Sequence, residues 1–376
     1  MSSSKHNAFE GYPAEEVDFT QVPFWFWNDE LAVDEIARQI NDFKTHGVHA
    51  FVIHPRAGLP RHQGWMSPEW LEMVRFAVDH ASGRGMWVLL YDEAVYPSGS
   101  SGGQVVAENP EYACRGLVQI DLMEAKAGDI VQRVKIGKHG VELANDQTLV
   151  ADVRRQHDGH RIAIVDLPIG ATIRGVHFMD DDPPRRYDQK EVDENHPPAG
   201  DLLNPAAMQC FIRLVYQKYY DELPGHFGNT IKGIFTDEPH VMGRGHFPGL
   251  DPRPGTTGIL NHVNAFVRYD FAPHLPALWD DAEPDAQRHR ENYRRAIHHR
   301  MQETYYKPIS DWCQAHGVAL TGHPAASDDI GLLRYFQIPG QDVVNMDTAD
   351  GKKWIAGDTV TLAPHDCVVL VGRWRR

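Results

Sequence analysis

Two pairs of acidic residues each follow a short apolar segment of the sequence. In GIFTDEPH the pair is Asp237 and Glu238, and in VLLYDEAVYPSG it is Asp92 and Glu93. Hydrolysis of a glycosidic bond needs two carboxyl groups, one of which donates a proton to the leaving group. We therefore predict Glu238 as general acid and Glu93 as nucleophile or base. The alternatives are that these carboxylates hold substrate hydroxyls, cap a helix or form salt bridges.

Aromatic, basic and amide side chains occupy comparable positions after other apolar segments. They occur in PFWFWND, FVIHPR and TGHPAASDD, and again beside the two acidic pairs. Aromatic rings stack on sugar faces, while Asp, Asn, His and Arg bind hydroxyl groups. The histidines can instead be structural, and Asp328 and Asp329 can cap a helix near Ile330. The predicted substrate-binding residues are Trp27, Asn28, His54, Arg56, Tyr91, Asp92, Asp237, His240 and His323.

Other chemistries fit these residues less well. A metal-dependent hydrolase usually needs closely spaced ligand pairs such as HxH, and no such pair ends an apolar segment here. We therefore assign no metal, and a metal site at His54 and His323 is only a third hypothesis. The glycine-rich YPSGSSGG lacks the GK[ST] ending of a phosphate-binding loop, which argues against nucleotide binding.

These residues lie at the ends of a recurring unit, in which an apolar segment leads through a loop into an amphipathic helix. Helices are predicted at 33–46, at 68–84 with Ser67 as N-cap, at 205–223 and at 287–315. Strands that alternate with helices indicate a parallel sheet covered on both faces, with the active site at the carboxyl ends of the strands. The predicted strands are 23–27, 50–53, 87–90, 231–235, 318–320 and, more weakly, 342–345.

A stretch of different character interrupts this alternation. Residues 116–200 contain segments such as VQIDL and RIAIVDL and almost no helical period, which indicates a small β-rich insertion. Residues 1–115 and 201–350 then supply the units of an α/β fold of the (β/α)8 or TIM barrel type, and residues 351–376 form a β-like tail. Such a barrel needs roughly 250 residues, so a chain of 376 residues has room for the insertion.

Composition excludes several classes of partner. A formal charge of −15 argues against nucleic acid and anionic membranes. The four cysteines are scattered without a CxxC pair, and neither a signal peptide nor a membrane span is recognisable. We therefore expect a cytoplasmic protein with reduced thiols, whose partner is a carbohydrate substrate.

Taken together, PFWFWND, FVIHPR, VLLYDEAVYPSG, DLLNPAAMQCFIRLVYQKYY and GIFTDEPH resemble the barrel core of large bacterial glycoside hydrolases. The resemblance is to the α-L-rhamnosidases of family 106 and their relatives, and it spans the region from Val22 to Gln341. It implies a (β/α)8 barrel that acts on α-L-rhamnosides or related glycans, with Glu238 as general acid by its TDEP context. It also implies that calcium can bind near the substrate, although no ligand set for calcium is recognisable.

The resemblance also implies a difference from the family. Its members are much longer, and their second catalytic carboxylate follows a later strand than any found here. We therefore expect an incomplete barrel that lacks two strands and that glutamate. The β-like tail, a second copy of the chain or another partner would cover the open edge. The main alternative to a glycosidase is a carbohydrate-binding remnant of one.

Overall fold

The computed structural model of the protein describes residues 20–175, 178–180, 196–245, 247–326 and 329–340. Its strands and helices form a mixed α/β architecture with thirteen described strands. In chain order they are β1 (Phe24–Trp27), β2 (Ala50–Pro55), β3 (Trp87–Tyr91), β4 (Arg115–Asp121), β5 (Ile130–Val131), β6 (Val134–Ile136), β7 (Val141–Glu142), β8 (Thr148–Arg154), β9 (Arg161–Pro168), β10 (Ile231–Asp237), β11 (Arg253–Gly255), β12 (Ala319–His323) and β13 (Ile338–Pro339).

Helices fill the connections between strands. None in the described part of the chain is long and apolar enough to cross a membrane. The α-helices are α1 (Val33–Thr45), α2 (Pro68–Ser82), α3 (Gln104–Glu108), α4 (Pro205–Ile212), α5 (Lys218–Glu222), α6 (Ile259–Val267), α7 (Ala286–Met301) and α8 (Lys307–Ala315). A π-helical turn, Arg213–Gln217, joins α4 to α5, and another, Gln302–Tyr306, joins α7 to α8. Short 3-10 turns span Arg61–Gln63, Pro110–Tyr112, Ala272–Leu278 and Ile330–Tyr335.

Six parallel strands form the central sheet, in the order β1-β2-β3-β10-β12-β13. The predicted parallel sheet is thereby confirmed, and five of its strands coincide with predicted segments. The predicted strand 342–345 and tail 351–376 lie outside the described residues. Among the described strands, β1 and β13 are the two edges of the sheet. Closure into a (β/α)8 barrel, and the incompleteness of that barrel, stay predictions.

Helix α2 illustrates how the helices attach to the sheet. The Ser67 hydroxyl accepts the N–H of Trp70 at 3.1 Å, which confirms the predicted N-cap, and Pro68 occupies the first turn. Trp70, Val74 and Val78 follow at intervals of four residues and are fully buried. This spacing places one apolar stripe against the sheet.

Each parallel strand presents alternate side chains to opposite faces of the sheet. In β1, Trp27 is buried on the helix side, whereas Phe24 and Phe26 are 40% and 45% exposed on the other side. Tyr91 of β3 and Phe235 of β10 continue this second side, and their rings stack with centroids 5.9 Å apart. We call this surface the inner face, and the carboxyl ends of its strands the mouth.

The segment between β3 and β10 contains antiparallel structure. Strands β4, β8 and β9 form a sheet with β11 in the order β11-β4-β9-β8, and β5, β6 and β7 form a smaller one. Strand β11 follows β10 in the chain, so residues outside the predicted insertion complete its larger sheet. A buried ion pair of 2.9 Å between Arg115 and Asp166 links β4 to β9. Cys114, Cys210 and Cys313 are buried free thiols.

Gly322 allows β10 and β12 to approach closely at the mouth. It pairs with Thr236 in the parallel register and has a φ of +120°. A Cβ atom at this position would lie 1.9 Å from the backbone oxygen of Thr236. Only glycine satisfies both the backbone conformation and this contact.

We predict that Gly322→Ala destabilises the protein by roughly 3 kcal/mol or more, because it combines backbone strain with a steric clash. Urea denaturation followed by circular dichroism measures this change. Gly331→Ala is the matched control, because a Cβ at Gly331 meets no heavy atom within 4 Å. Equal stability of the two variants would contradict the close approach of the strands.

Candidate functional site

The Tyr91 hydroxyl joins β3 to β10 at the mouth. It lies 2.5 Å from Oδ2 of Asp237 and 2.5 Å from the backbone oxygen of Val95. Burial raises the pKa of the Tyr91 hydroxyl well above its ordinary value, and the adjacent Asp237 raises it further. The phenol therefore keeps its hydrogen, and Tyr91 holds one carboxyl oxygen of Asp237 at the edge of the inner face.

Two more ionisable side chains converge on Asp237. Its Oδ1 lies 3.3 Å from Nε2 of His323, and the two side chains are 17% and 14% exposed. Single ligand-type atoms of Asp237, Glu238 and His323 all lie within 4.8 Å of one another. We call Tyr91, Asp237, Glu238 and His323 the mouth cluster. All four residues were predicted from the rule that the polar carboxyl ends of parallel strands meet at one edge of the sheet.

The backbone conformation of Glu238 explains how two consecutive carboxylates reach one place. Successive residues of an extended strand point to opposite faces of the sheet. Glu238 instead has a φ of +45°, in the left-handed region that side chains with a Cβ rarely adopt. This turn directly after Asp237 brings both carboxyl groups to the mouth. It costs about 1–3 kcal/mol, and strain of this kind is concentrated at functional sites.

His54 lies beneath the aromatic part of the inner face. It is only 2% exposed, and its ring stacks on Tyr91 with centroids 3.7 Å apart. Its Nδ1 lies 2.6 Å from the backbone oxygen of Pro55, which can only accept, so Nδ1 carries the hydrogen. Burial lowers the pKa of His54 to about 3, and the imidazole is neutral at pH 7. The contacts of His54 position the Tyr91 ring.

The second predicted catalytic carboxylate, Glu93, lies inside the loop that follows β3. Its Oε1 accepts the backbone N–H groups of Ala94 and Gly102 at 2.8 and 2.5 Å. Its Oε2 accepts those of Ser100 and Ser101, both at 2.8 Å, and the residue is 0% exposed. Four donors occupy both oxygens, so a role as nucleophile or base does not fit this position. Glu93 holds the loop together instead.

Asp92 is also fully buried, which does not fit its predicted contact with substrate. Its Oδ1 accepts the hydroxyl of Ser98 at 2.6 Å, and its Oδ2 accepts that of Tyr216 at 2.7 Å. Ser98 Oγ in turn accepts the backbone N–H of Asp237 at 2.8 Å. Asp92 therefore fastens the loop to the end of β10, next to the mouth cluster.

The remaining predicted residues lie at different places. Trp27 is 2% exposed on the helix side, so the structure contradicts its predicted stacking on a sugar. Arg56 is half-buried, and its guanidinium carbon lies 4.9 Å from the ring centroid of Phe26 on the inner face. Asn28 and His240 are exposed at the ends of β1 and β10. The contacts of these last two residues do not join them to the mouth cluster.

Sequence reasoning overlooked Phe24 and Phe26, the aromatic residues of β1 that lie on the inner face. The ring of Phe24 lies 4.9 Å from Phe235 and 5.3 Å from His54, in edge-on contacts. Both alternate pairs of the segment FWFW are aromatic, so its alternation does not show which pair faces inward. Side chains alternate between the two faces along paired strands. Counting in steps of two from Asp237 across those strands could have assigned Phe24 and Phe26 to the inner face. No sequence signal marks Ser98.

The mouth cluster does not fit calcium, the ion implied by the family resemblance. Calcium takes six to eight oxygen ligands. Among the described residues the cluster offers carboxyl oxygens of Asp237 and Glu238 and a nitrogen of His323. The Tyr91 hydroxyl already contacts one of these oxygens. His54 lies outside this group of ligand-type atoms, and the metal site at His54 and His323 stays a hypothesis.

Comparison with known proteins bears on the fold. No protein-family model matches the chain, and no curated protein sequence matches it. Among solved structures, a rhamnosidase from Novosphingobium sp. PP1Y is similar with a TM-score of 0.51 and 11% identity. The match covers 84% of this chain and 48% of the rhamnosidase, so the chain spans about half the length of that protein.

Two further solved structures are similar at lower scores. A chitobiase from Flavobacterium johnsoniae has a TM-score of 0.32 at 12% identity, over 81% of this chain and 32% of its own. An exo-β-N-acetylglucosaminidase from Vibrio harveyi has a TM-score of 0.27 at 10% identity, over 80% and 41%. At such identities the likeness concerns the fold alone. The chain shares its fold with the matched part of the Novosphingobium rhamnosidase.

We predict that Glu93→Gln destabilises the protein by roughly 2–5 kcal/mol, because an amide NH2 would face backbone N–H donors and leave two of them unsatisfied. Chemical denaturation measures the change. Glu111→Gln, at an exposed glutamate just beyond the loop, should change stability by less than about 0.5 kcal/mol. Similar values for the two variants would show that the four amides do not depend on this carboxylate.

Burial raises the pKa of Asp92 to about 7 from an ordinary value of 3.8, although the hydroxyls of Ser98 and Tyr216 oppose the shift. The unfolded chain therefore releases this proton at lower pH than the folded protein. We predict that the contribution of Asp92 to stability is full below about pH 4, falls as pH rises to about 7, and then levels off. The slope attributable to one such group is at most about 1.4 kcal/mol per pH unit.

Urea denaturation of the wild type and of Asp92→Asn between about pH 4 and pH 8 tests this pH dependence. The free energy of unfolding of the variant should fall less steeply with pH than that of the wild type, whatever its absolute value. Asp146→Asn, at an exposed aspartate, should keep the wild-type slope. Parallel pH curves for the wild type and Asp92→Asn would contradict a proton held at Asp92.

Proposed function

We propose that the protein is a glycoside hydrolase with Glu238 as general acid, acting on an α-L-rhamnoside or a related glycan. The convergence of Asp237 and Glu238 with Tyr91 and His323 at the mouth carries this proposal. Parallel βα architectures use this end of the sheet for catalysis. The similarity in fold to a rhamnosidase supports the choice of substrate class.

The Tyr91 hydroxyl fixes Asp237 in this cluster. It lies 2.5 Å from the backbone oxygen of Val95 and 2.5 Å from Oδ2 of Asp237. Its contact with Asp237 holds this carboxylate beside Glu238, the proposed acid.

Asp237 replaces Glu93 as the proposed second carboxylate. Glu93 and Asp92 are buried with their oxygens hydrogen-bonded, whereas Asp237 is partly exposed beside Glu238. Oxygens of the two carboxyl groups lie within 4.8 Å. This limit applies to one oxygen of each group. Retention would need carboxyl groups about 5–5.5 Å apart, and inversion roughly 6.5–9.5 Å to admit a water molecule, so the stereochemical outcome is left to experiment.

The inner face provides a surface for the sugar ring. Phe24 and Phe26 present exposed aromatic surface beside the mouth cluster, and Arg56 lies over Phe26. Aromatic rings bind the apolar faces of sugars, and guanidinium groups donate to their hydroxyls. A neutral polyhydroxylated ligand needs this combination.

A carbohydrate-binding protein without turnover is the second candidate. The hydrogen bonding of Asp92 and Glu93 favours it, because two of the four predicted carboxylates have structural roles. A carbohydrate-binding protein would use the same surface as the glycoside hydrolase but would not cleave the bound sugar. It predicts calorimetric binding of rhamnose-type sugars together with no turnover.

We predict that Glu238→Gln lowers kcat on an α-L-rhamnoside by about 10²–10⁴-fold, the usual contribution of a general acid. The loss should be larger for alkyl glycosides than for nitrophenyl glycosides, because a poor leaving group needs the proton more. A panel of nitrophenyl glycosides identifies the substrate first, and NMR of the initial product determines whether configuration is retained.

Glu30→Gln is the matched control, because Glu30 is an exposed glutamate just beyond the end of β1. It should keep wild-type turnover. Unchanged turnover in Glu238→Gln would contradict the assigned acid. Sugar binding by a wild-type protein that cleaves no glycoside of the panel would favour the second candidate.

A further inference from the structure

A second group of ligand-type side chains lies on α6 and α7, outside the mouth cluster. His262 of α6, His299 of α7 and Glu303 of the following π-helical turn place ligand-type atoms within 4.8 Å of one another. Oε2 of Glu303 lies 3.8 Å from Nδ1 of His262 and 3.6 Å from Nδ1 of His299. We propose that these three side chains bind a divalent transition metal, with zinc as the preferred ion.

The hydrogen bond of His262 prepares it as a ligand. Its Nε2 lies 3.0 Å from the backbone oxygen of Ala296, which can only accept, so Nε2 carries the hydrogen. The lone pair is then on Nδ1, the nitrogen that faces Glu303. Metal-binding histidines typically donate their second N–H to a carbonyl or carboxylate in this way.

His299 presents a nitrogen that lacks a hydrogen bond. Its Nδ1 is buried and has no hydrogen-bond partner among the described residues. A buried polar atom without a partner is destabilising, and a metal ion would provide one. The imidazole is held between Phe266 and His262, with ring centroids 5.2 and 5.5 Å away. Both nitrogen ligands are thus positioned by packing.

The spacing and donor types favour zinc. Tetrahedral zinc with bonds of about 2.0–2.1 Å separates neighbouring ligand atoms by about 3.4 Å. The observed separations of 3.6 and 3.8 Å need only small movements of Glu303, whose side chain is 50% exposed. Two imidazole nitrogens and one carboxylate suit zinc, whereas calcium and magnesium prefer oxygen ligands only.

A fourth ligand would come from solvent. His262 also lines a cavity of about 320 Å³, together with Thr257, Asn261 and Arg300. Sites with three protein ligands commonly complete their coordination with water or a small anion. The Arg300 guanidinium in the cavity wall favours an anion in that place.

Calorimetric titration of the chelator-treated full chain with zinc chloride tests the proposal. We expect His299→Gln and Glu303→Gln each to weaken this site by about 100-fold or more. Cobalt substitution should give the absorption spectrum of a four-coordinate ion, and the same variants should lose it. Glu303 is half-exposed, so its variant should fold even if a histidine variant does not.

Two controls separate this site from other histidines. His46 lies 3.4 Å from Asp42 four residues earlier on α1, the same helical spacing as His299 and Glu303, so His46→Gln should leave zinc binding unchanged. His323→Gln removes a histidine of the mouth cluster and should also preserve this site. Absence of zinc binding by the wild type would refute the proposal. Retained affinity in both His299→Gln and Glu303→Gln, or loss of the site in His323→Gln instead, would equally refute it.

Discussion

Four backbone N–H groups converge on the buried carboxylate of Glu93, and the mouth depends on this interaction. The N–H groups of Ser100, Ser101 and Gly102 can reach one side chain only if the chain curls tightly after β3. Positive φ angles at residues 99 and 101–103 produce that curl, which accounts for the glycine-rich sequence. The curled loop then places Ser98 between Asp92 and the backbone of Asp237. The backbone N–H groups of this glycine-rich loop, which resembles a ligand-binding loop in sequence, thus bind a carboxylate of the same chain.

The parallel sheet determines which side chains meet at the mouth. Side chains alternate with a period of two, so strand register assigns every residue to the helix side or to the inner face. The pairing of Asp237 with His323 and of Phe235 with Tyr91 aligns polar and aromatic groups in adjacent strands. The aromatic residues form a floor, and the ionisable groups lie at its carboxyl edge. This order is what the proposed sugar ligand, with an apolar face and hydroxyl groups around its rim, would need.

The sequence supported the general arrangement better than the individual roles. Five of the six sheet strands, helix α2 with its Ser67 cap, and the meeting of Tyr91 with Asp237 could be predicted, because they follow from periodicity and from the strand-end rule. The buried roles of Asp92 and Glu93 could not, because they depend on loop hydrogen bonds between residues up to 124 positions apart. The orientation of Trp27 towards the helix side could not be predicted either, because both sets of alternate residues in FWFW are aromatic.

The strained conformation of Glu238 links these constraints to chemistry. An extended backbone would have placed the carboxyl groups of residues 237 and 238 on opposite faces of the sheet. The left-handed turn at Glu238 places them together. The contact between the Tyr91 hydroxyl and the Asp237 carboxylate, and the hydrogen bond from the Asp237 N–H to Ser98 Oγ, keep the preceding residue in place. A structural carboxylate at a strand end could cap a helix without such strain. The turn costs about 1–3 kcal/mol and its effect is to pair two carboxyl groups, and this pairing is the feature on which the proposed proton transfer at the mouth rests.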